Sequence, residues 1–187
     1  MTALINVDLA KCYRLLNHGP TVLVTSASGG KQNVMAAAWA MPLDFDPPKM
    51  LVVIDKSTWS RELIEASGEF ILNIPCRAQA AQVLKVGSSS GLQSDKFADS
   101  GLIAVAAQTM AAPRVAGCIG YLECKVINEP HNQQKYDLFI GEVVAAQADA
   151  DVYSDGRWHF DGFDEKRSLH YISGGAFFSI GEQFNVE

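Results

Sequence analysis

Between residues 32 and 48 the chain reads QNVMAAAWAMPLDFDPP, and no other stretch limits the fold so strongly. Its centre, MAAAWAM, has neither a charge nor a β-branched residue, so local propensity favours a helix. Gly29 and Gly30 upstream, with Pro42, Pro47 and Pro48 downstream, confine any such helix to about two turns. Alanines at 36, 37 and 38 leave the backbone N–H and C=O groups near Asn33 approachable, because methyl groups are too small to screen them. Such a surface suits a flat aromatic ligand, and it equally suits a tight corner of a β-barrel. Periodicity alone leaves both readings open.

The flanking segments set the architecture. DLAKCYRLLN (8–17) predicts a short helix, capped by Asp8, with Leu9, Cys12, Leu15 and Leu16 on one face and His18-Gly19-Pro20 as terminator. TVLVTSA (21–27), MLVVID (50–55) and EFILNIP (69–75) read as strands. TWSRELIEAS (58–67) places Trp59, Leu63 and Ile64 at helical spacing and stops at Gly68. RAQAAQVLKVG (77–87) is an alanine-rich helix and DKFADSG (95–101) a short helical turn. Segments near 103–107, 118–128 and 136–147 are strand-like, separated by Pro- or Asn-rich turns at the spacing of an all-β barrel. YSDGRWHFDGF (153–163) predicts a hairpin. With no internal repeat or linker, residues 1–187 are expected to form one domain, mainly β, a barrel core with peripheral helices. No G-x-G-x-x-G or G-x-x-x-x-G-K-[ST] motif argues for a doubly wound α/β fold instead.

Composition narrows the classes of function. At 187 residues, 48% of them hydrophobic, the chain can bury a core without staples. Cys12, Cys76, Cys118 and Cys124 are scattered, lack C-x-x-C pairing and have no zinc-spaced partners, so reduced thiols and no metal site are expected. Asp8 and Lys11 interrupt the start where a signal peptide needs an unbroken apolar core, and no run approaches membrane-spanning length. A soluble cytoplasmic protein with no membrane partner is the expectation. A net charge of −6 without a Lys/Arg cluster repels a phosphate backbone, so nucleic-acid binding is not expected.

Two polar clusters remain. In DKSTWSRE, Lys56, Ser57 and Thr58 lie between a strand end and a helix start, where hydroxyls, helix amides and a cation can hold an anion. The same residues also read as an ordinary N-cap beside a solvated lysine. VGSSSGLQSDKF (86–97) presents Ser88, Ser89, Ser90, Gly91 and Lys96, by itself a flexible loop.

Taken in order, PTVLVTS (20–26), NVMAAAW (33–39), DPP (46–48), KST (56–58), GEFILN (68–73), SDKF (94–97), LEC (122–124) and LFIGEV (138–143) resemble the flavin reductase-like, FMN-binding split-barrel family, and within it the flavoredoxin branch. The resemblance spans about residues 15 to 180. It implies a Greek-key split β-barrel that forms a homodimer and holds FMN non-covalently near the subunit interface. It further implies that Asn33, Met35, Ala36, Ala37, Ala38 and Trp39 line the isoalloxazine, with backbone groups of Met35 to Ala38 at its polar edge. Lys56, Ser57 and Thr58 would bind the phosphate; Asn73 and the loop Ser88, Ser89, Ser90 and Gly91 would touch the ribityl chain or phosphate, with Lys96 close by. Many members carry a histidine just before the LFxGEV strand, and Tyr136 stands there in this chain.

The function implied is an NADH- or NADPH-dependent flavin or ferric reductase passing electrons through FMN to a small-molecule or protein acceptor. The alternatives are an FMN electron-transfer carrier without a nicotinamide site, and a flavin binder without redox turnover. No catalytic side chain is assigned. The aromatic end, SLHYISGGAFFSIGEQFNV, with Tyr171, Phe177, Phe178 and Phe184, is expected to help build the dimer and border the flavin cleft, or else to plug one end of the barrel.

Overall fold

A computed structural model of the chain describes residues 3–186. The two glycines ahead of the alanine run decide its conformation. Gly29 (φ 57°) and Gly30 (φ 76°) form a two-residue turn with both residues at positive φ, which suits the twist of a hairpin. The turn joins β2 (Val22–Ser28) to β3 (Lys31–Ala37), paired from Ser28↔Lys31 to Val22↔Ala37. The helix favoured by local propensity therefore does not form. Propensity differences of less than about 1 kcal/mol per residue yield to a continuous antiparallel ladder.

β4 (Ala40–Phe45) and β5 (Pro48–Val53) form the next hairpin, followed by α1 (Trp59–Ser67) and β6 (Glu69–Ile74). Gly68, in the left-handed region, ends α1 as its position predicts. A 3-10 turn at Arg77–Gln79 leads into α2 (Ala80–Gly87), and Asp95 caps α3 (Lys96–Ser100). The segment 8–17 also caps on Asp8 but winds as a 3-10 helix, Leu9–Leu15. After the short pair β7 (Ala104–Val105) and β8 (Arg114–Val115) come β9 (Gly120–Ile127), α4 (Pro130–Tyr136) and the twelve-residue β10 (Leu138–Asp149). Hairpins β11 (Tyr153–Ser154) with β12 (Arg157–Trp158), and β13 (Leu169–Ser173) with β14 (Ala176–Ser179), complete the chain.

The main sheet runs β3-β2-β6-β9-β10-β5-β4, every pair antiparallel, with a short strand at Leu4–Asn6 (β1) added to β10. Its first and last members are consecutive in the chain, separated only by Ala38 and Trp39. The sheet must therefore curl until its edges approach, yet β3 and β4 share no ladder, and the barrel stays split along that seam. A bulge between Val143 and Ala145 lets β10 bend enough to serve both halves.

Side-chain alternation along the strands sorts two apolar layers. Val22, Val24, Met50, Val52, Phe70, Leu72, Leu122 and Phe139 fill the barrel. Leu23, Val34, Val83, Val86, Phe97 and Leu169 form a second cluster between the sheet's outer face and helices α2 and α3. Gly141 is required inside: a Cβ there would lie 2.7 Å from both the Phe70 ring and Cys124. All four cysteines are free and buried, and burial pushes the Cys12 thiol up to about 12. Among the described residues no helix is long and apolar enough to cross a membrane.

Candidate functional site

A cleft of about 680 Å³ opens at the seam. Met35, Ala36, Ala37, Ala38 and Trp39 form one wall, and Val83, Leu84, Gly87 and Ser88 of α2 face them. The floor and rim come from Val53 and Asp55 at the end of β5, Tyr136 and Asp137 at the end of α4, and Thr21, Tyr171, Ile172 and Phe177. Because β3 is an edge strand, alternate N–H and C=O groups point away from β2, toward the side where the ladder stops. Trp39 has already joined the other half of the barrel, its carbonyl accepting from the Val53 N–H at 3.0 Å.

The alanine run is divided between two environments. Ala37 is buried in the barrel core, whereas Ala38 is exposed and faces the cleft. Ala36 lets α2 approach so closely that a Cβ on Gly87 would meet its methyl at 3.4 Å. Trp39 and Tyr136 stand at the mouth, 74% and 59% exposed.

Asn33 lies outside this lining. Its Nδ2 donates to Ser60 Oγ at 3.0 Å, and its amide sits where a Cβ on Gly91 would come within 2.5 Å of Oδ1. Asn33 thus ties the 88–91 loop and the first turn of α1 to β3. In the 55–58 turn, the Ser57 N–H and Oγ–H both donate to Asp55 Oδ1, at 2.8 and 2.6 Å, and these bonds hold the Asp55 carboxyl below its ordinary value. Thr58 donates from Oγ1 to the Asp55 carbonyl at 2.8 Å, so its hydroxyl does not cap the helix it precedes. Lys56 is largely exposed, 3.8 Å from Asp137.

Asn73 is placed elsewhere. It is fully buried, its Nδ2 donating to Leu23 O and Thr25 Oγ1 and its Oδ1 accepting from Val115 N–H, so its amide is committed to joining β2, β6 and β8. Ser88 reaches the cleft while its hydroxyl donates to the Leu84 carbonyl; Ser89 donates to Lys85, and Ser90 accepts from Leu92 N–H. Lys96 opens α3, which packs on β3 and α2, the two elements that wall the cleft. It is only 5% exposed, and its ammonium has no hydrogen bond or ion pair among the described residues. Burial pulls its ammonium down to about 8.

Several positions that shape the cleft rim were not anticipated. Arg61, 4% exposed, donates to Asp137 Oδ1 at 2.6 Å, to the Gln133 carbonyl at 2.7 Å and to Glu65 at 2.8 Å, and lies over the Phe139 ring. It therefore locks α1 to Asp137, a non-glycine residue at φ 56° that ends α4 at the cleft rim. Its position three residues before Ile64, on the buried face of α1, is the available sequence signal. α4 itself, PHNQQKY, has no apolar periodicity, and only Pro130 at its first turn marks it. Tyr171 and Phe177 do border the cleft, with Tyr171 N–H donating to Thr21 Oγ1 at 2.8 Å.

Residues 14–167 match the Flavin reductase like domain. The chain is 43% identical over 186 residues to YddH of Escherichia coli (strain K12), covering 98% of each protein. An FMN-binding domain of a flavin reductases-like enzyme from Shewanella baltica OS155 superposes with a TM-score of 0.97 at 51% identity, over 100% of this chain and 98% of that one. Flavoredoxin of Desulfovibrio vulgaris (Miyazaki F) superposes with a TM-score of 0.79 at 27% identity, over 90% of each chain. A mainly β barrel, open along one seam and matched over most of its length, places this chain in the flavin reductase-like family of FMN-binding split barrels.

Proposed function

We propose that the chain binds FMN in the seam cleft and is an oxidoreductase that takes electrons from a reduced nicotinamide and passes them to a small-molecule or protein acceptor. The observation carrying this reading is the cleft itself, an apolar slot with an unpaired, methyl-lined sheet edge as one wall. Slots of this size, lined by apolar groups with a few fixed polar ones, suit a planar ligand with a hydrogen-bonding rim. The isolated Lys96 ammonium fits the phosphate: a buried cation without a counter-charge is costly, and a bound anion relieves that cost.

Bound FMN would supply the hydride-accepting ring and the capacity to release electrons singly or in pairs. The protein's share is placement. Met35 to Ala38 present backbone at the ring's edge, Val83 and Leu84 exclude water from one wall, and Asn33 with Gly91 fixes the loop that leads to Lys96. None of the four histidines of this chain lines the cleft.

Tyr136 favours a second reading, a flavin-based carrier fed by a protein donor, because a phenol occupies the rim where many relatives place a histidine. Anaerobic mixing of the yellow protein with NADH or NADPH separates the two. Rapid bleaching of the flavin band supports the reductase, and an unchanged band refutes it in favour of the carrier.

The edge strand β4 supports a homodimer. Met41, Leu43 and Phe45 are exposed at alternate positions on it, beside Trp39. An apolar sheet edge left open invites aggregation, and a second copy covers it. Leu43→Asp should shift the protein to monomer in light scattering; a dimer that persists argues against this edge as the interface.

A further inference from the structure

A second cleft, of about 890 Å³, shares no lining residue with the first. It lies between the end of the N-terminal 3-10 helix, the β11–β12 hairpin and the extended segment 180–185. Arg167 anchors that segment, donating to the carbonyls of Ile180 and Gly181, and is itself paired with Asp164. Two other guanidiniums have no carboxylate. Arg14 bonds only the Tyr13 hydroxyl and the Gly156 carbonyl, at 3.3 and 3.4 Å, and Arg157 has no hydrogen bond or ion pair among the described residues.

Their proximity is built into the hairpin. Gly156 adopts φ 73°, a conformation that favours glycine, and its bare α-carbon leaves room for Arg14 to dock against the turn next to Arg157. The acidic residues of this cleft, Asp161 and Glu182, form no ion pair with either arginine. His18 adds no positive charge, since burial drives it down to about 4 and its Nε2 is engaged with Ser168 Oγ.

The floor is aromatic. Trp158 and Phe160 lie nearly parallel, 12° apart with centroids at 5.7 Å, and the Trp158 indole N–H is shielded from solvent with no acceptor. Two unneutralised guanidiniums beside stacked rings, in a chain of net charge −6, suit a ligand that is both flat and anionic. We propose that this cleft is a binding site for a planar aromatic acid, its ring on Trp158 and Phe160 and its acid group held by Arg14 and Arg157. This site stands independently of the flavin reading.

The test is calorimetric titration of the FMN-loaded protein with benzoate and with phenyl phosphate, the tighter of the two identifying the acid group. Acetate and benzyl alcohol separate the anion from the ring. One aromatic acid should bind per chain with a dissociation constant below about 1 mM, and each half-ligand about tenfold more weakly or worse. Arg157→Gln, at an exposed position, and Arg14→Gln should each weaken binding about tenfold to a hundredfold while flavin content stays constant. No binding up to about 10 mM, acetate binding as well as benzoate, or unchanged affinity in Arg157→Gln overturns the proposal.

Discussion

Under the proposed function, Lys96 links the fold, the cofactor and pH. Its ammonium, 5% exposed and without a partner, carries a burial cost that draws it from the ordinary 10.5 to about 8. That gap corresponds to about 3 kcal/mol at roughly 1.4 kcal/mol per tenfold. Between about 8 and 10.5 the unfolded chain holds a proton that the folded apo-protein has released, so apo stability rises with pH across that window. Below about 8 both states are protonated and the full cost is borne. A phosphate beside the ammonium reverses the preference and holds the proton on. FMN affinity should therefore be flat near pH 7 and fall about tenfold per unit as pH rises above about 8, with about one proton taken up per flavin bound near pH 9. Lys96→Met, which keeps the buried stem, should raise the apo melting temperature, weaken FMN near pH 7 and abolish both the pH dependence and the proton uptake. Flavin titrations in two buffers of different ionisation enthalpy, from about pH 7 to pH 9.5, measure both quantities. An affinity that does not change with pH, or a Lys96→Met variant that melts lower than wild type and binds FMN as well, would refute this account.

Three further outcomes follow from the geometry. Ala38→Leu should expel flavin and leave the apo melting temperature nearly unchanged, within about 0.5 kcal/mol, because Ala38 is exposed in the cleft; Ala37→Leu should instead destabilise the apo-protein by about 1 to 3 kcal/mol, since Ala37 lies in the barrel core. Asp55→Asn should tighten FMN by about tenfold in equilibrium dialysis, because it removes a carboxylate from the cleft and weakens its hold on both Ser57 donors. Arg61→Met should lower stability by about 3 to 5 kcal/mol in urea unfolding, since it leaves the Asp137 carboxylate only the exposed Lys56 at 3.8 Å and frees the Gln133 carbonyl.

The sequence shows some of this plainly and hides the rest for physical reasons. β2, β5, β6, β9 and β10 are rich in Val, Ile and Leu, and their pattern survives folding because each lies inside the sheet with neighbours on both sides. β3 was illegible as a strand because its residues prefer a helix; the Gly29-Gly30 turn and the ladder to β2 overrule them. At the site, Met35 to Trp39 and Ser88, which the family resemblance assigns to the flavin, line the seam cleft. It says less about which way a side chain points. Asn73 pairs in register with Leu23 and Tyr121, and Leu23 and Tyr121 belong to the outer apolar cluster; Asn73 therefore serves the junction of β2, β6 and β8. Ser57 and Lys56, the expected phosphate ligands, do not line the cleft, and each is close to a carboxylate that only the folded chain brings there or orients.

The position of the cleft follows from connectivity. A sheet whose first and last strands are joined by two residues has to bring its edges together, and the link cannot be both a turn and a ladder. Ala38 and Trp39 spend their geometry on the change of direction, and the Trp39 carbonyl is drawn into the β5 side. What remains is the free edge of β3, with donors and acceptors that lose about 1 to 3 kcal/mol each if buried unpaired. A bulky side chain here would cover those groups with hydrocarbon and leave them unsatisfied. Alanine keeps them open to water or to a ligand carrying its own donors and acceptors, while α2 supplies the opposing apolar wall through Val83 and Leu84. A flat ring with a polar rim satisfies both walls at once, one by hydrogen bonds and the other by burial. That requirement gives the alanine run a physical reason, and it supports the proposal that flavin binds at the seam of the barrel.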